Sequence, residues 1–323
     1  MLSGNRVAVT GARGFIGRAV VQRLLADGAE VTAFVRGEAS FPEAVRVHYM
    51  PAIDGEIDLQ SALTGHEIVI HCAARVHVMR ESTPGSLQAF RRVNVHGTRR
   101  LAEQAANAGV RRFIFLSSVK AVGEATASGH PFDEATAPAP VDPYGISKRE
   151  AEQALIELGR DSLLQPVIVR PPLVYGPGVK ANFRSLVQWI ARGRPLPLGG
   201  IRHNHRSLVS LDNLVDFIVC STLHPRACEV PLFVSDGEDL STAELVERIS
   251  RILRVPSRLY SVPPILLRSL AVISGQEAAW QRISSSLQVS TLFATRSMGW
   301  SPPCSVDEGL RQTVDEIRNT LSR

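Results

Sequence analysis

The spacing of apolar positions changes period repeatedly through the first half of the chain. Short β-branched runs at Arg6–Thr10, Glu30–Val35, Val45–Tyr49, Ile68–Cys72, Arg112–Ser117 and Val167–Arg170 read as strands. Between them, Phe15–Asp27, Gly85–Gly109 and Tyr144–Gly159 repeat apolar residues at helical spacing. Strands alternating with helices predict a parallel sheet with both faces covered, and the continuous apolar character of the strands fits that burial. After Pro171 the texture changes. Proline and glycine are dense through Gly200, and helices then dominate with short strands between them. Ser241–Leu253 opens with a capping box, Ser241 and Glu244, and Ser305–Leu321 is amphipathic. The pattern predicts an α/β fold in two parts. Residues 1–172 form a doubly wound parallel sheet, rejoined by part of 205–228, and residues 173–323 form a smaller mixed α/β domain that holds substrate. Ile265–Ile273 is greasy but short, and Arg268 interrupts it, which predicts a packed amphipathic helix rather than membrane contact. Glu124–Asp142, rich in Ala, Thr and Pro, reads as an active-site loop.

Composition narrows the function classes. The 323 residues are 44% hydrophobic and 21% charged, ordinary for a globular protein. The net charge of +5 comes from scattered arginines with no basic block, which argues against a nucleic-acid partner. High arginine usage and a positive pocket for an anion both account for it. Cys72, Cys220, Cys228 and Cys304 lie far apart without metal-type spacing, as expected of buried thiols in a reducing compartment, so a cytoplasmic location is expected. The N-terminus shows no signal-peptide pattern, and no apolar run reaches the length of a membrane span, so no membrane insertion is expected.

Thr10-Gly11-Ala12-Arg13-Gly14-Phe15-Ile16-Gly17 falls between the first strand and the first helix. Glycines there allow a tight turn and close approach of backbone to a diphosphate, and the helix start supplies free N–H groups. A dinucleotide is therefore expected on Gly11, Arg13, Gly14, Phe15, Ile16 and Gly17. A carboxylate at the end of the second strand would bind the ribose of NAD. Val35 and Arg36 stand there instead. Arg36 can pair with a 2′-phosphate, which favours NADP(H) and leaves NAD(H) open. Asp58 could reach the adenine amino group, cap a short helix, or do both.

The chain has only three lysines, Lys120, Lys148 and Lys180, and Lys148 stands four residues after Tyr144, on the same face of a helix. A tyrosine of ordinary pKa is a poor base at neutral pH, and a nearby ammonium is expected to bring it toward the working range. The phenol then exchanges a proton with a carbonyl or alcohol oxygen as hydride moves, and the lysine can hydrogen-bond the nicotinamide ribose. Ser118, with Ser117 as the neighbouring alternative, supplies a hydroxyl to orient that oxygen.

These residues carry a resemblance. The loop TGARGFIG at 10–17, HCAA at 71–74, Asn94 in NVHGT, SS at 117–118, YGISK at 144–148, RPPLVYGPG at 170–178 and MGWSPPCSVDEGL at 298–310 resemble the extended short-chain dehydrogenases/reductases of the NAD-dependent epimerase/dehydratase family. The resemblance implies a Rossmann-type sheet, and adds Leu59, Cys72, Ala73, Ala74 and Pro171 to the cofactor site. It implies a UDP-sugar between two domains, touched by Ser118, by Asn182 after the VYGPG turn, by Arg206 and by Arg282. Arg206 matches the arginine of a motif that usually reads R-D-F-x-x-V-x-D, and would neutralise diphosphate; here Ser207 replaces its first Asp. A homodimer through Gly85–Gly109 and Tyr144–Gly159 is also implied.

Three reactions compete within that resemblance. A 4,6-dehydratase carries an Asp–Glu pair where Val119-Lys120 stands here. A 4-epimerase holds NAD tightly and typically has an acidic group where Val35-Arg36 stands. A 4-keto reductase needs exchangeable NAD(P)H and a proton from Tyr144, and fits best. VHVM at 76–79, SLVSLDNLV at 207–215 and SDGEDLST at 235–242 resemble proteins of bacterial surface-polysaccharide loci that reduce UDP-4-keto-6-deoxy-N-acetylhexosamine to UDP-N-acetylquinovosamine or its C4 epimer. Lys120 touches the sugar or is solvated. A non-catalytic NADP(H) sensor would lack the Tyr–Lys pair. His203 and His205, and His71 and His77, have no carboxylate or Cys cluster beside them, so no metal is expected.

Overall fold

The computed structural model of the chain describes residues 2–76, 86–127 and 129–321. The elements run β1 (Arg6–Thr10), α1 (Phe15–Ala26), β2 (Glu30–Val35), β3 (Arg46–Tyr49), α2 (Gln60–Leu63), β4 (Ile68–His71), α3 (Ser86–Phe90), a π-helical segment (Arg91–Gly97), α4 (Thr98–Asn107), β5 (Arg112–Leu116), α5 (Pro143–Asp161) and β6 (Gln165–Arg170). They continue as β7 (Leu173–Tyr175), α6 (Ala181–Ala191), β8 (Leu208–Ser210), α7 (Leu211–Leu223), β9 (Leu232–Phe233), α8 (Thr242–Leu253), α9 (Pro264–Ile273), α10 (Glu277–Ser284), α11 (Leu292–Met298) and α12 (Val306–Leu321). Gly85, and His77–Met79 of the VHVM motif, lie outside the described residues.

Every strand of the main sheet pairs in parallel, in the order β3-β2-β1-β4-β5-β6-β9. The chain winds outward in one direction from β1 and in the other from β4, which leaves a crevice past their C-terminal ends. One core lies on the face covered by α1 and α7, and a second on the face covered by α4 and α5. β9 is a seventh strand with no expectation behind it; two residues carry no readable period.

A third core joins α6, α8 and α12 to β7 and β8, which form a separate parallel pair. Buried polar groups tie this unit together. Tyr175 donates to Asp236 Oδ2 at 2.6 Å, and Asp236 Oδ1 accepts from Ser210 N and Asn213 Nδ2. The capping box forms at α8: Glu244 N donates to Ser241 Oγ at 3.1 Å, and Ser241 N to Glu244 Oε2 at 2.8 Å. The Ile265–Ile273 segment is helical, as α9, but not packed as expected: none of its residues is buried.

Candidate active site

The crevice beyond β1 and β4 opens into a cavity of about 850 Å³. Gly11, Ala12, Arg13 and Gly14 line it with Arg36, Cys72, Ala73 and Ala74, so the loop, the end of β2 and the end of β4 converge as the sequence predicts. The loop makes a tight cradle. Gly14 N donates to Gly11 O at 2.8 Å. A Cβ on Gly11, whose φ is 69°, would stand 2.6 Å from Ala73 N, and one on Gly17 2.2 Å from Gly11 O. No side chain caps α1 at Gly14, so its first-turn N–H groups are free for an anion. Cradle, free N–H groups and cavity together fit a dinucleotide.

Met50, Ile53, Arg75 and Val93 also line the cavity, and sequence reasoning missed them. Asp58 and Leu59 are not among its lining residues. The Asp58 side chain, one residue ahead of Leu59, the N-cap of α2, is exposed and accepts from Gln60 N at 3.2 Å. Leu59 is buried, with its N–H on Gln104 Oε1 at 2.7 Å. Phe15 and Ile16 are half-buried against the first core, and Phe15 also touches the third. Pro171 is buried, and its carbonyl accepts from Val119 N at 2.9 Å.

The predicted trio comes together beside the cavity, where β5 ends and α5 begins. Asp142 caps α5, with Oδ1 accepting from Gly145 N at 2.6 Å, and Pro143 follows as the first helical residue. A Cβ on Gly145 would lie 2.4 Å from Lys120 O, so this glycine lets the helix start press against the turn after β5. Lys120 neither projects freely nor is simply solvated: its Nζ donates to Asp142 Oδ2 at 2.6 Å and to Glu124 Oε1 at 2.7 Å. Tyr144 thus sits on a pinned helix start and hydrogen-bonds to Ser118.

The electrostatics differ from the expectation. Burial and the Asp142 carboxylate hold the Tyr144 phenol above its ordinary pKa, although the Ser118 hydrogen bond opposes them. Lys148 is fully buried. Its Nζ donates to Leu116 O at 2.7 Å, lies 4.4 Å from the Phe115 ring centre and is 6.0 Å from that of Tyr144. Burial brings its pKa down to about 7 against the pull of Glu152 and Cys72. The tyrosine is therefore held as a proton donor, and the lysine titrates near neutrality. Desolvation, which residue spacing does not report, outweighs the pair's attraction.

The supports beneath the trio were not foreseen. Glu152, one turn past Lys148, accepts from Ser117 Oγ at 2.6 Å, and from Arg170 Nε at 2.9 Å and Nη2 at 2.6 Å. Ser117, the alternative hydroxyl, is thus already engaged. Asn94 lies in the widened π-helical turn. It accepts from Arg75 N at 2.8 Å, and donates to Arg75 O at 3.0 Å and to Ser147 Oγ at 2.9 Å. Ser147 Oγ donates to Tyr144 O at 2.8 Å, so Asn94 connects the cavity wall to the helix that carries Tyr144. The two rows of the resemblance that hold Asn94 and Ser147, NVHGT and YGISK, were the available signal. His71 joins Thr10 at 2.6 Å and Thr98 at 3.0 Å, and burial and Lys148 bring it down to about 3, so it is neutral. Burial pushes the Cys72 thiol up to about 12.

In the second half, Arg206 is half-buried, and that burial lowers its basicity. Its Nη1 donates to Ser285 O at 2.9 Å, and among the described residues it has no carboxylate partner. Ser207, in place of the motif's Asp, donates to Asp239 Oδ1 at 2.5 Å. Arg282 is exposed and donates to Ala278 O of its own helix at 3.0 Å. Asn182 is exposed in the first turn of α6. Arg206 and Arg282 share a neighbourhood through Ser285, and no described hydrogen bond joins Asn182 to either. Among the described residues no three His, Cys, Asp or Glu side chains are grouped to hold a metal ion, and His77 lies outside them. No described helix is long and apolar enough to cross a membrane.

Comparisons with known proteins agree with this architecture. The profile of the NAD dependent epimerase/dehydratase family matches residues 7–232. A UDP-glucose 4-epimerase of Vibrio cholerae is 40% identical over 329 residues, covering 100% of both chains. A UDP-glucose 4-epimerase of Mycolicibacterium smegmatis is 30% identical, covering 97% of this chain and 99% of its own. Among solved structures, MoeE5 in complex with UDP-glucuronic acid and NAD is similar at TM-score 0.78 and 25% identity, covering 98% of this chain and 100% of its own.

Proposed function

The chain belongs to the NAD dependent epimerase/dehydratase family, and from that premise we propose that it is a UDP-hexose or UDP-N-acetylhexosamine 4-epimerase with resident NAD. The observation that carries this reading is the end-to-end likeness to the Vibrio cholerae UDP-glucose 4-epimerase, across both the dinucleotide cavity and the second unit. It supports epimerisation over the keto reduction favoured from sequence.

The dinucleotide, when bound, supplies a hydride acceptor that can return the hydride. The chain supplies the rest. Gly11, Gly14 and Gly17 admit the diphosphate to the start of α1. Oxidation of the C4 hydroxyl needs Tyr144 as phenolate, its own proton passing to the neutral Lys148 amine. Oη then accepts the C4 hydroxyl proton as hydride leaves and returns it when the hydride comes back, and Ser118 Oγ orients that oxygen. Lys148, able to gain or lose a proton near pH 7, adjusts the charge beside the phenol. Arg206, half-buried and without a carboxylate partner among the described residues, suits the diphosphate of the sugar nucleotide, with Asn182 as a further contact. A homodimer and a cytoplasmic setting belong to the same reading.

One observation favours a second reading, an NADP(H)-dependent 4-keto reductase acting on a UDP-4-keto-6-deoxy-N-acetylhexosamine. Arg13 and Arg36 both line the cavity, and Arg13 Nη1 is 3.5 Å from where a Cβ on Gly37 would stand. Two arginines, with no carboxylate among the described residues that line the cavity, suit a 2′-phosphate.

The test starts with purified protein, denatured to release dinucleotide. NAD at one equivalent, with C4 inversion of UDP-glucose or UDP-N-acetylglucosamine in the absence of added cofactor, supports the epimerase. Tyr144→Phe should then lose about 10²–10⁴-fold in turnover while keeping its NAD. Empty protein that binds NADPH at least tenfold more tightly than NADH, with Arg36→Ala erasing the preference, refutes the epimerase and leaves the reductase.

A further inference from the structure

α9 is apolar and largely exposed; only Leu267 and Ala271, on one face, are half-buried. Ile265 is 72% exposed, Leu270 63% and Ile273 85%, with Leu266 and Val272 more than half exposed. A projecting helix of this kind is unusual, because monomers rarely leave a contiguous apolar surface of more than a few hundred Å² to water. The hairpin of α9 and α10 is nonetheless firmly based. Leu196 N donates to Arg258 O at 3.0 Å and Gly199 N to Tyr260 O at 2.9 Å before it, and Thr242 Oγ1 donates to Ile283 O at 2.6 Å after it. Close approach at Gly200, where a Cβ would lie 2.5 Å from Val262 O, fixes the same base.

The charge of the segment that carries this hairpin is almost all of one sign. Residues 251–283 carry Arg251, Arg254, Arg258, Arg268 and Arg282 against the single acid Glu277. Among the described residues none of the five is in an ion pair, whereas Arg202 and Arg248 just outside the segment are paired. All five are exposed. Apolar side chains on the hairpin, with unpaired cations on it and on the segment that leads into it, match the two demands of an anionic lipid interface, insertion and attraction to head groups. A second copy is the poorer occupant, since a symmetric contact would set one net-positive face against another.

We propose that the α9–α10 hairpin docks the protein on an anionic lipid surface, with Leu270 and Ile273 entering the interface and the arginines facing lipid phosphates. The contact is peripheral, as a helix of ten residues is far too short to span a bilayer. The inference stands independently of the reaction at the active site.

Co-sedimentation of the full chain, as purified, with phosphatidylglycerol/phosphatidylethanolamine vesicles and with phosphatidylcholine vesicles tests it. Binding is expected to the anionic vesicles alone, and to collapse between 0.1 M and 1 M salt. Arg268→Ala should weaken it roughly fivefold, and Ile273→Ser at least about tenfold. Both substituted side chains are exposed, so unchanged turnover and Tm are expected of the variants. No binding to anionic vesicles at low salt overturns the proposal, as does equal binding by Ile273→Ser. A dimer that Leu270→Asp converts to monomer, without vesicle binding by the parent, assigns the face to a second copy and also overturns it.

Discussion

The Lys148→Met substitution tests whether the lysine is as dry as the structure makes it. In the cofactor-free protein Lys148 titrates at about 7, against 10.5 for an exposed lysine. Between those values the unfolded chain holds a proton that the folded chain has released, so this residue makes stability climb with pH. From pH 7, where the folded lysine is half titrated, to pH 9, the gain is about 2 kcal/mol. A chain of 323 residues unfolds with an entropy of roughly 0.7 kcal/mol/K, so the gain is worth about 3 °C in Tm. The variant loses the hydrogen bond to Leu116 O, but that loss does not depend on pH. Scanning calorimetry of both proteins from pH 6 to 9.5 should therefore show the parent's Tm gaining about 3 °C on the variant's between pH 7 and 9. Parallel curves would refute the reasoning, because they would mean that folding does not move the lysine's pKa. Turnover should be lost in the variant at every pH.

Two further outcomes follow from the supports around the site. Arg170→Met leaves Glu152 buried with only Ser117 and a long contact to Arg149, and should cost about 3–5 kcal/mol, or roughly 4–7 °C in Tm; adding Glu152→Gln should recover much of it by calorimetry. Gly17→Ala places a methyl 2.2 Å from Gly11 O, so it should abolish dinucleotide binding by titration at concentrations that saturate the parent.

Much of the frame was legible because its signals are local. The runs at β1, β2, β4, β5 and β6 are apolar enough to declare burial on both faces, and the glycine loop follows the first of them directly. Tyr144 and Lys148 share a face because a helix returns every 3.6 residues. β9 was not legible, since a two-residue strand exists only through its pairing with β6. Asp58 could be read two ways; its carboxylate accepts from Gln60 N, while Leu59 is the residue that starts α2. Met50, Ile53 and Val93 reach the cavity from three separate segments, and no spacing relates them.

The sequence by itself determined the longer strands and helices of the first half, where the glycine loop lies and which tyrosine, lysine and serine can meet. All of this follows from short-range geometry. The tertiary structure decided how those groups behave. Tyr144 keeps its proton and Lys148 gives its own up near neutrality because the packing of β5, α5 and the π-helical turn excludes water from around them. Glu152 is tolerated in the core because Arg170, from the next strand, meets it. α9 stays largely exposed although its composition reads as core, because packing against α10 half-covers only one of its faces. Burial is set by all the atoms around a group, and those come from distant parts of the chain.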